Sequence, residues 1–347
     1  MHVIAAEPQF YSILVEQGSL QILLQLLSHE NADIVGAVCN LLQELTDVEI
    51  LVESEDCANL LIEELLKGQI VETLVQQVLG RLNEGEQDEA DAIHNALTII
   101  ENLLDFRPEA NEICVSQGLF EWLMIRGTKK GAFDANKLFA SQLLHMEKKQ
   151  SREGALKVLS HATAIPDGTA NCLRTLFPLL MRTPPKMKRK DTTPDDHEEY
   201  CCSIIDALLF SCNQTNKNRV LSKFADHCFE KIDRMVELYI KYSEKLRKFE
   251  VKFEKRLAEM HKDIYIEKLN NGLYTLQRIV LILAEVCIKG APGSKERAEK
   301  LFKMRFKGAH LNTLLESILT EFYDSLDPEA NDQKERVEHL IACLSAS

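Results

Sequence analysis

The sequence predicts an all-α solenoid of stacked helical units, and three observations carry that expectation. The first is an apolar helix face that recurs. Ile34, Val38, Leu41, Leu42 and Leu45 stand at offsets 0, +4, +7, +8 and +11, which is one face of an α-helix. A shift of 58 residues gives Ala92, Ala96, Ile99, Ile100 and Leu103. Partial copies follow at Ala155, Val158, Leu159 and Ala162, at Ile205, Leu208, Leu209 and Cys212, and at Ile279, Ile282, Leu283 and Val286. Repetition on that scale marks units that share one long core. The second is punctuation. Gln17-Gly18, Lys67-Gly68, Gln117-Gly118 and Lys307-Gly308 interrupt apolar patterns, and glycine ends helices because it takes the left-handed conformation without strain. The third is composition. A chain of 347 residues with 45% hydrophobic but only 6% aromatic residues, and a single Trp (Trp122), suits helices packed by Leu, Ile and Ala rather than strands.

Each unit reads as a first helix, a glycine turn, a second helix and a long third helix. Second helices carry the stripes Leu20, Leu23, Leu24, Leu27, then Ile70, Leu74, Val78, Leu82, and last Leu311, Leu315, Ile318, Phe322. Between Asp47 and Gly68 the run exceeds what a unit needs, and one elongated or broken helix is expected. Residues 183–199 combine prolines with a switch from basic to acidic charge, so a charged loop is expected. Its KMKRK run (186–190) reads either as a localisation or phosphate patch or as solvated lysines. Residues 230–262 read as one long charged helix. On it Met235, Tyr239, Tyr242, Leu246, Phe249 and Phe253 alternate steps of four and three. That seam fits self-association through a coiled coil or, the favoured reading, a helix packed on its own neighbours. Helices near 311–325 and 332–345 would close the stack, the latter capped by Asn331 or Asp332. One solenoid over 1–347 is expected, with acidic repeats at 1–125, shortened central repeats at 126–182 and C-terminal repeats at 200–347.

The net charge of −13 is unevenly placed. Residues 1–110 hold 21 Asp and Glu against 3 Lys and Arg, while the remainder holds 33 against 38. An acidic N-terminal third repels phosphates, so direct nucleic-acid binding there is not expected, whereas basic peptides are attracted. The ten cysteines lack paired metal spacing and read as buried thiols in a reducing compartment. The start, MHVIAAEPQF, lacks the basic and apolar regions of a signal peptide, and no apolar run of about 18 residues suggests a membrane span. No phosphate-cradling glycine loop, dinucleotide fingerprint or H-E-x-x-H pair occurs. His94, His145 and His161 have no ligand partner at i+4, and His197-Glu198-Glu199 reads as negative charge placed near a helix start. Neither an enzyme nor a cofactor is expected.

The informative surface is therefore the polar face of the third helices. The first carries Asp33, Asn40, Glu44 and Asp47, and the second carries Asp91, Asn95, Thr98, Asn102 and Asp105. Lys157 and His161, then Arg278 and Glu285, follow in later units. Stacking would set these as rungs in one groove. Asparagines there can bind an extended backbone and carboxylates can select Lys or Arg. The candidate contact residues are Asn40, Glu44, Asp47, Asp91, Thr98, Asn102 and Asp105.

Three-helix units with glycine turns and polar third-helix rungs resemble armadillo repeats. LLQELTD (41–47), EADAIHNALTIIENLLDFRPE (89–109), FDANKL (133–138), ALKVLSHA (155–162), LRTLFPLLM (173–181), EKIDRMVELYIKYSEKL (230–246) and YIEKLNNGLYTLQRIVLILAEVC (265–287) resemble the β-catenin-like protein 1 family. The resemblance spans most of the chain, in family order. It implies a right-handed armadillo superhelix and a non-enzymatic, nuclear component of the spliceosome. It also implies association with the Prp-nineteen complex and binding to basic, localisation-signal-like segments, including those of the cell-division-cycle-five-like protein. In vertebrates the family also binds activation-induced deaminase.

Armadillo import receptors carry Trp and Asn four apart on the third helix. The matching pairs here are Asn40/Glu44, Thr98/Asn102, Lys157/His161 and Leu281/Glu285, so only Asn102 keeps the asparagine. That argues against the alternative of a nuclear transport adaptor and for more electrostatic recognition. Relative to the family, the chain begins inside the comparable region and has a gap near Met146, where about one and a half repeats are missing. A shorter gap falls near Cys172-Leu173. Residues 135–148 are expected to substitute for a second helix, with Ser151 capping the next, unless one bent helix runs through 135–163.

Overall fold

The structure is a computed structural model, which describes residues 10–47, 51, 55–82, 86–106, 156–160, 173–184, 193–254, 264–306 and 310–346. Among these no strand occurs. The chain divides into two compact units, Met1–Thr175 and Leu176–Ser347.

The N-terminal unit contains α1 (Tyr11–Glu16), α2 (Ser19–Leu26), α3 (Ala32–Leu45), α4 (Glu55–Lys67), α5 (Ile70–Leu79) and α6 (Gln87–Phe106). Residues 156–160 are also helical. First helix packs on first helix, α1 on α4, and third on third, α3 on α6. That is the in-register stacking the recurrence predicts. The recurring positions are core: Val38, Leu41, Leu42, Leu45, Ala92, Ala96, Ile99, Ile100 and Leu103 are all buried, with Ile34 half-buried. Small residues let the third helices approach, and a Cβ on Gly36 would lie 3.9 Å from the Ala92 Cβ. Asn31 starts α3 by accepting the Asp33 amide at 2.8 Å, which satisfies an otherwise unpaired helix-start donor.

The glycine turns divide. Gly18 has φ +69 and works as expected. At the second turn the left-handed residue is Gln69, φ 56, and not Gly68. Gly68 serves packing instead, because a Cβ there would lie 2.5 Å from Leu24 Cδ1. The turns at 117–118 and 307–308 lie outside the described residues, as do Trp122, the KMKRK run and the junction at 135–151. Of the run between Asp47 and Gly68, α4 is helical over Glu55–Lys67 and Leu51 is a buried helical residue.

Helix α7 (Leu173–Met181) spans the division between the units. The C-terminal unit continues with α8 (Pro194–Ser211), α9 (Gln214–Glu254), α10 (Tyr274–Lys289), α11 (Ser294–Arg305), α12 (Leu311–Ser325) and α13 (Asn331–Ser345). The expected loop at 183–199 ends six residues early. Thr193 accepts the Asp196 amide at 3.2 Å while Asp196 accepts the Thr193 amide at 2.6 Å, a reciprocal cap that starts α8 at Pro194. The terminal helix begins at Asn331 with Ala330 as its cap residue, so neither Asn331 nor Asp332 caps it.

Helix α9 bends where Asp226 is extended and His227, Cys228 and Phe229 take φ of 51, 56 and 66. The helical run from Glu230 to Glu254 is the described part of the long helix expected at 230–262, whose remainder lies outside the described residues. The first four residues of its seam are covered within the unit and Phe249 is half-buried, while the Phe253 side chain lies outside what is described. Met235, Tyr239, Tyr242 and Leu246 are buried, and Tyr239 packs on Phe302 and Phe306 at 4.9 and 5.9 Å. The helical stretch Ile264–Lys289, with mean hydropathy 1.3 over its most apolar part, is long and apolar enough to cross a membrane by length and composition, which the sequence reading did not expect. Its α10 portion contacts α8, α9, α11, α12 and α13, and a helix covered on most sides is apolar all round.

Candidate protein-binding face

The polar face of the N-terminal unit is built from the sides of α3 and α6 opposite their buried stripes. Asn40 is exposed, and its amide donates to Glu44 Oε1 at 3.0 Å one turn away. Glu44 and Asp47 are half-buried at the end of α3. Between them Thr46 is buried, and its hydroxyl donates to the Leu42 carbonyl at 2.8 Å. That hydroxyl also accepts from the Asn102 amide on α6 at 3.4 Å. This contact joins the two polar faces. It sets half-buried Asn102 beside the Glu44–Asp47 end of α3, with exposed Asp105 three residues further along α6.

Thr98 is half-buried and donates to the His94 carbonyl at 3.2 Å, back into its own helix. Asp91 is exposed, but it precedes Asp105 by 14 residues, about 21 Å along the helix axis. The Thr46–Asn102 contact thus sets Asn102 against the end of α3, with Asn40 and Glu44 paired one turn before it on α3 and Asp105 one turn further along α6. Thr98 lies between Asn102 and Asp91, which stands apart at the start of α6. Two participants were missed. Thr46 gives no sequence signal, because a threonine at a helix end is ordinary. Glu101 falls between core positions, yet it is nearly buried and pairs with Lys157 Nζ at 2.7 Å.

The C-terminal unit departs from the expectation of an open groove. The sequence pattern places Arg278 and Glu285 in the groove, but Glu285 is buried and Arg278 is mostly enclosed, both in ion pairs. Arg278 Nη1 meets Asp206 Oδ2 at 2.9 Å, and its guanidinium lies over the rings of Tyr274 and Phe322 at 4.8 and 5.3 Å. Arg336 comes from α13. Its Nη2 lies 2.8 Å from Asp206 Oδ1, its Nε lies 3.2 Å from Glu285 Oε1, and its guanidinium covers the Phe210 ring at 5.2 Å. Buried carboxylates need such partners, since an unpaired buried charge is costly.

A second buried cluster fixes α8 to α9. Glu198 accepts from Arg234 Nη2 at 3.0 Å, Lys241 Nζ at 2.7 Å and the Tyr242 hydroxyl at 3.0 Å. Burial, then the neighbouring Glu198, pushes the Tyr242 hydroxyl far above its ordinary pKa. Glu198 was read only as negative charge near a helix start. In fact it is a structural acceptor, and His197 beside it is buried with Nε2 at 3.2 Å from the Leu179 carbonyl. No group of three or more His, Cys, Asp or Glu suited to a metal occurs among the described residues.

Stacked three-helix units that pair first helix with first and third with third define a repeat scaffold of the armadillo type. The family described as "Catenin-beta-like, Arm-motif containing nuclear" matches residues 1–146 and 143–320. The chain belongs to that family of nuclear, armadillo-motif proteins, whose repeats form a protein-binding scaffold. β-Catenin-like protein 1 of Bos taurus is 33% identical over 443 aligned positions, covering 99% of this chain and 78% of that protein. The Homo sapiens protein is 33% identical over 435, covering 97% and 77%. A Schizosaccharomyces pombe homolog is 25% identical over 224, covering 64% and 37%. The two family segments meet at 143–146, where the resemblance placed a gap. Among solved structures, a designed armadillo repeat protein covers 94% of this chain at 13% identity and TM-score 0.49, with 99% of its own length matched.

Proposed function

We propose that this protein is a scaffold of the nuclear pre-mRNA splicing machinery, associated with the Prp-nineteen complex. In this reading the polar face of its N-terminal unit receives basic, localisation-signal-like segments of partners such as the cell-division-cycle-five-like protein. The supporting observation lies within the chain itself. Glu285 precedes Val286 as Glu44 precedes Leu45, so the two glutamates hold equivalent positions in the recurring helix. Glu285 holds an arginine, Arg336, supplied by the chain's own last helix. The equivalent glutamate of the N-terminal unit stands beside Asp47, Asn102 and Asp105 on a face that keeps exposed groups. Residues 1–110 add an acidic field of 21 carboxylates against 3 cations, which draws in basic segments and weakens with salt.

The test pairs Glu44→Lys with Asp105→Lys. Each exposed ion pair contributes about 0.2–1 kcal/mol, so the double reversal should weaken a basic splicing-factor peptide about tenfold at low salt. Thermal stability should stay near that of the parent. Affinity unchanged in the double variant contradicts the reading. Recovery of splicing factors from nuclear extract by the parent chain, and their loss with the variant, would tie the face to the partners.

A further inference from the structure

Resting on that reading, we propose that Lys157 ends the face, so that it accepts a basic segment of about six residues and rejects a continued run of positive charge. On α6, Thr98, Glu101, Asn102 and Asp105 stand at i, i+3, i+4 and i+7, which is one side of a helix. Lys157 Nζ reaches this side and lies 2.7 Å from Glu101 Oε1. The Glu101 side chain is 9% exposed and the Lys157 side chain 40%, so the carboxylate is enclosed while the ammonium still meets solvent. Lys157 also precedes Val158 as Asn40 precedes Leu41 and Thr98 precedes Ile99. It therefore fills the register position that the two preceding third helices give to neutral polar groups. Read along the units, the face runs from Asn40 and Glu44 to Thr98 and Asn102, and then meets a cation.

The asparagines sharpen this. The Asn40 amide nitrogen donates to Glu44 and the Asn102 amide nitrogen to Thr46. One N–H of each amide is thereby engaged, while each carbonyl oxygen can accept from donor-rich groups: peptide N–H, lysine and arginine. Packed helices stand about 8–10 Å apart, and extended chain covers about 3.3 Å per residue. Two rungs match roughly six residues. The next cation of a longer basic run would face Lys157, and an unfavourable like-charge contact of this kind is how a surface discriminates between ligands.

Two twelve-residue peptides test this on the full chain at low salt. One has six alternating lysines and arginines followed by six glycines and serines. The other alternates lysine and arginine throughout. In Lys157→Gln the ratio of the two affinities should shift about fivefold toward the fully basic peptide, the scale of one exposed charge interaction. The peptide with six basic residues should bind as before. Lys157→Gln with Glu101→Gln removes both charges at nearly constant volume, so it should show the same shift without a buried carboxylate that has lost its Lys157 contact. A role for Lys157 only as the structural partner of Glu101 predicts no change in the ratio, and that result in both variants overturns the proposal. Glu44→Lys with Asp105→Lys separates the two levels. If it leaves the six-residue segment bound as before, the basic-segment reading falls, and Lys157 as its terminus with it. If it weakens that segment while the Lys157 variants leave the ratio unmoved, only the terminus is wrong.

Discussion

The two units treat the same helix face in opposite ways. In the N-terminal unit the third-helix polar positions hold Asn40, Glu44, Asn102 and Asp105, all exposed or half-buried. In the C-terminal unit Glu285, the register counterpart of Glu44, is under 5% exposed, and Arg336 of α13 is set between it and the equally enclosed Asp206, which stands in register with the core residue Cys39. One fold thus encloses a third-helix carboxylate at one end and leaves its register counterpart in contact with solvent at the other. Helix α13 supplies the cation that closes over Asp206 and Glu285, through Arg336, while on the N-terminal face Lys157 pairs with Glu101. A carboxylate on an armadillo helix is therefore not a binding residue by position alone.

The sharpest way to break this contrast is to remove the internal cation. Arg336→Met keeps an apolar side chain of similar reach but deletes the charge between Asp206 and Glu285, and with it the guanidinium over Phe210. Breaking a buried pair from one side costs about 3–5 kcal/mol. Arg278 and Lys289 remain on the two carboxylates, so a loss near 3 kcal/mol in denaturant unfolding is expected. By contrast Glu44→Lys with Asp105→Lys should alter stability by less than about 1 kcal/mol, because Glu44 is half-buried and Asp105 exposed, and charges that meet solvent contribute little. Equal losses in the two variants would erase the distinction between an enclosed face and one that meets solvent.

Smaller effects sharpen it. Thr193→Ala removes a reciprocal helix cap and should cost about 1 kcal/mol by thermal or denaturant unfolding. The loosening should centre on α8 and reach the Glu198 cluster, seen as faster amide exchange there and not in α3 or α6. The smallest expected effect is one of pH. Burial raises the Asp195 pKa, but hydrogen bonds and charge from Lys241 and Lys245 outweigh it, so its pKa lies below the ordinary carboxylate value. A group depressed on folding contributes stability above its unfolded pKa and loses it as pH falls through the folded one. Melting curves of the parent and Asp195→Asn should differ by a constant amount from neutral pH down to the ordinary carboxylate range, then converge at more acid pH.

Much of the fold was legible because a recurring 0, +4, +7, +8, +11 face must be buried somewhere, and only stacked helices bury it repeatedly. Ala92, Ala96, Ile99, Ile100 and Leu103 illustrate this, with every one in the core. The candidate face was legible only in part. Spacing placed Asn40 and Glu44 one turn apart, as found, but could not reveal that Thr46 is the link to Asn102, since that contact spans 56 residues. Charge misled at the other end. Glu198, Arg278 and Glu285 look like surface residues in sequence, and their burial depends on partners 36 to 72 residues away. Helical periodicity reports which side of a helix a residue occupies. It does not report what another helix later lays over that side.

The account stands most directly on where a basic segment lands. A six-residue lysine–arginine peptide carrying a photo-reactive group, irradiated with the full chain and mapped by mass spectrometry, measures this. The prediction is adducts on residues 40–47 and 98–105, reduced by high salt and by Glu44→Lys with Asp105→Lys. Adducts concentrated around Asp206 and Glu285, or a pattern indifferent to those substitutions, would contradict it.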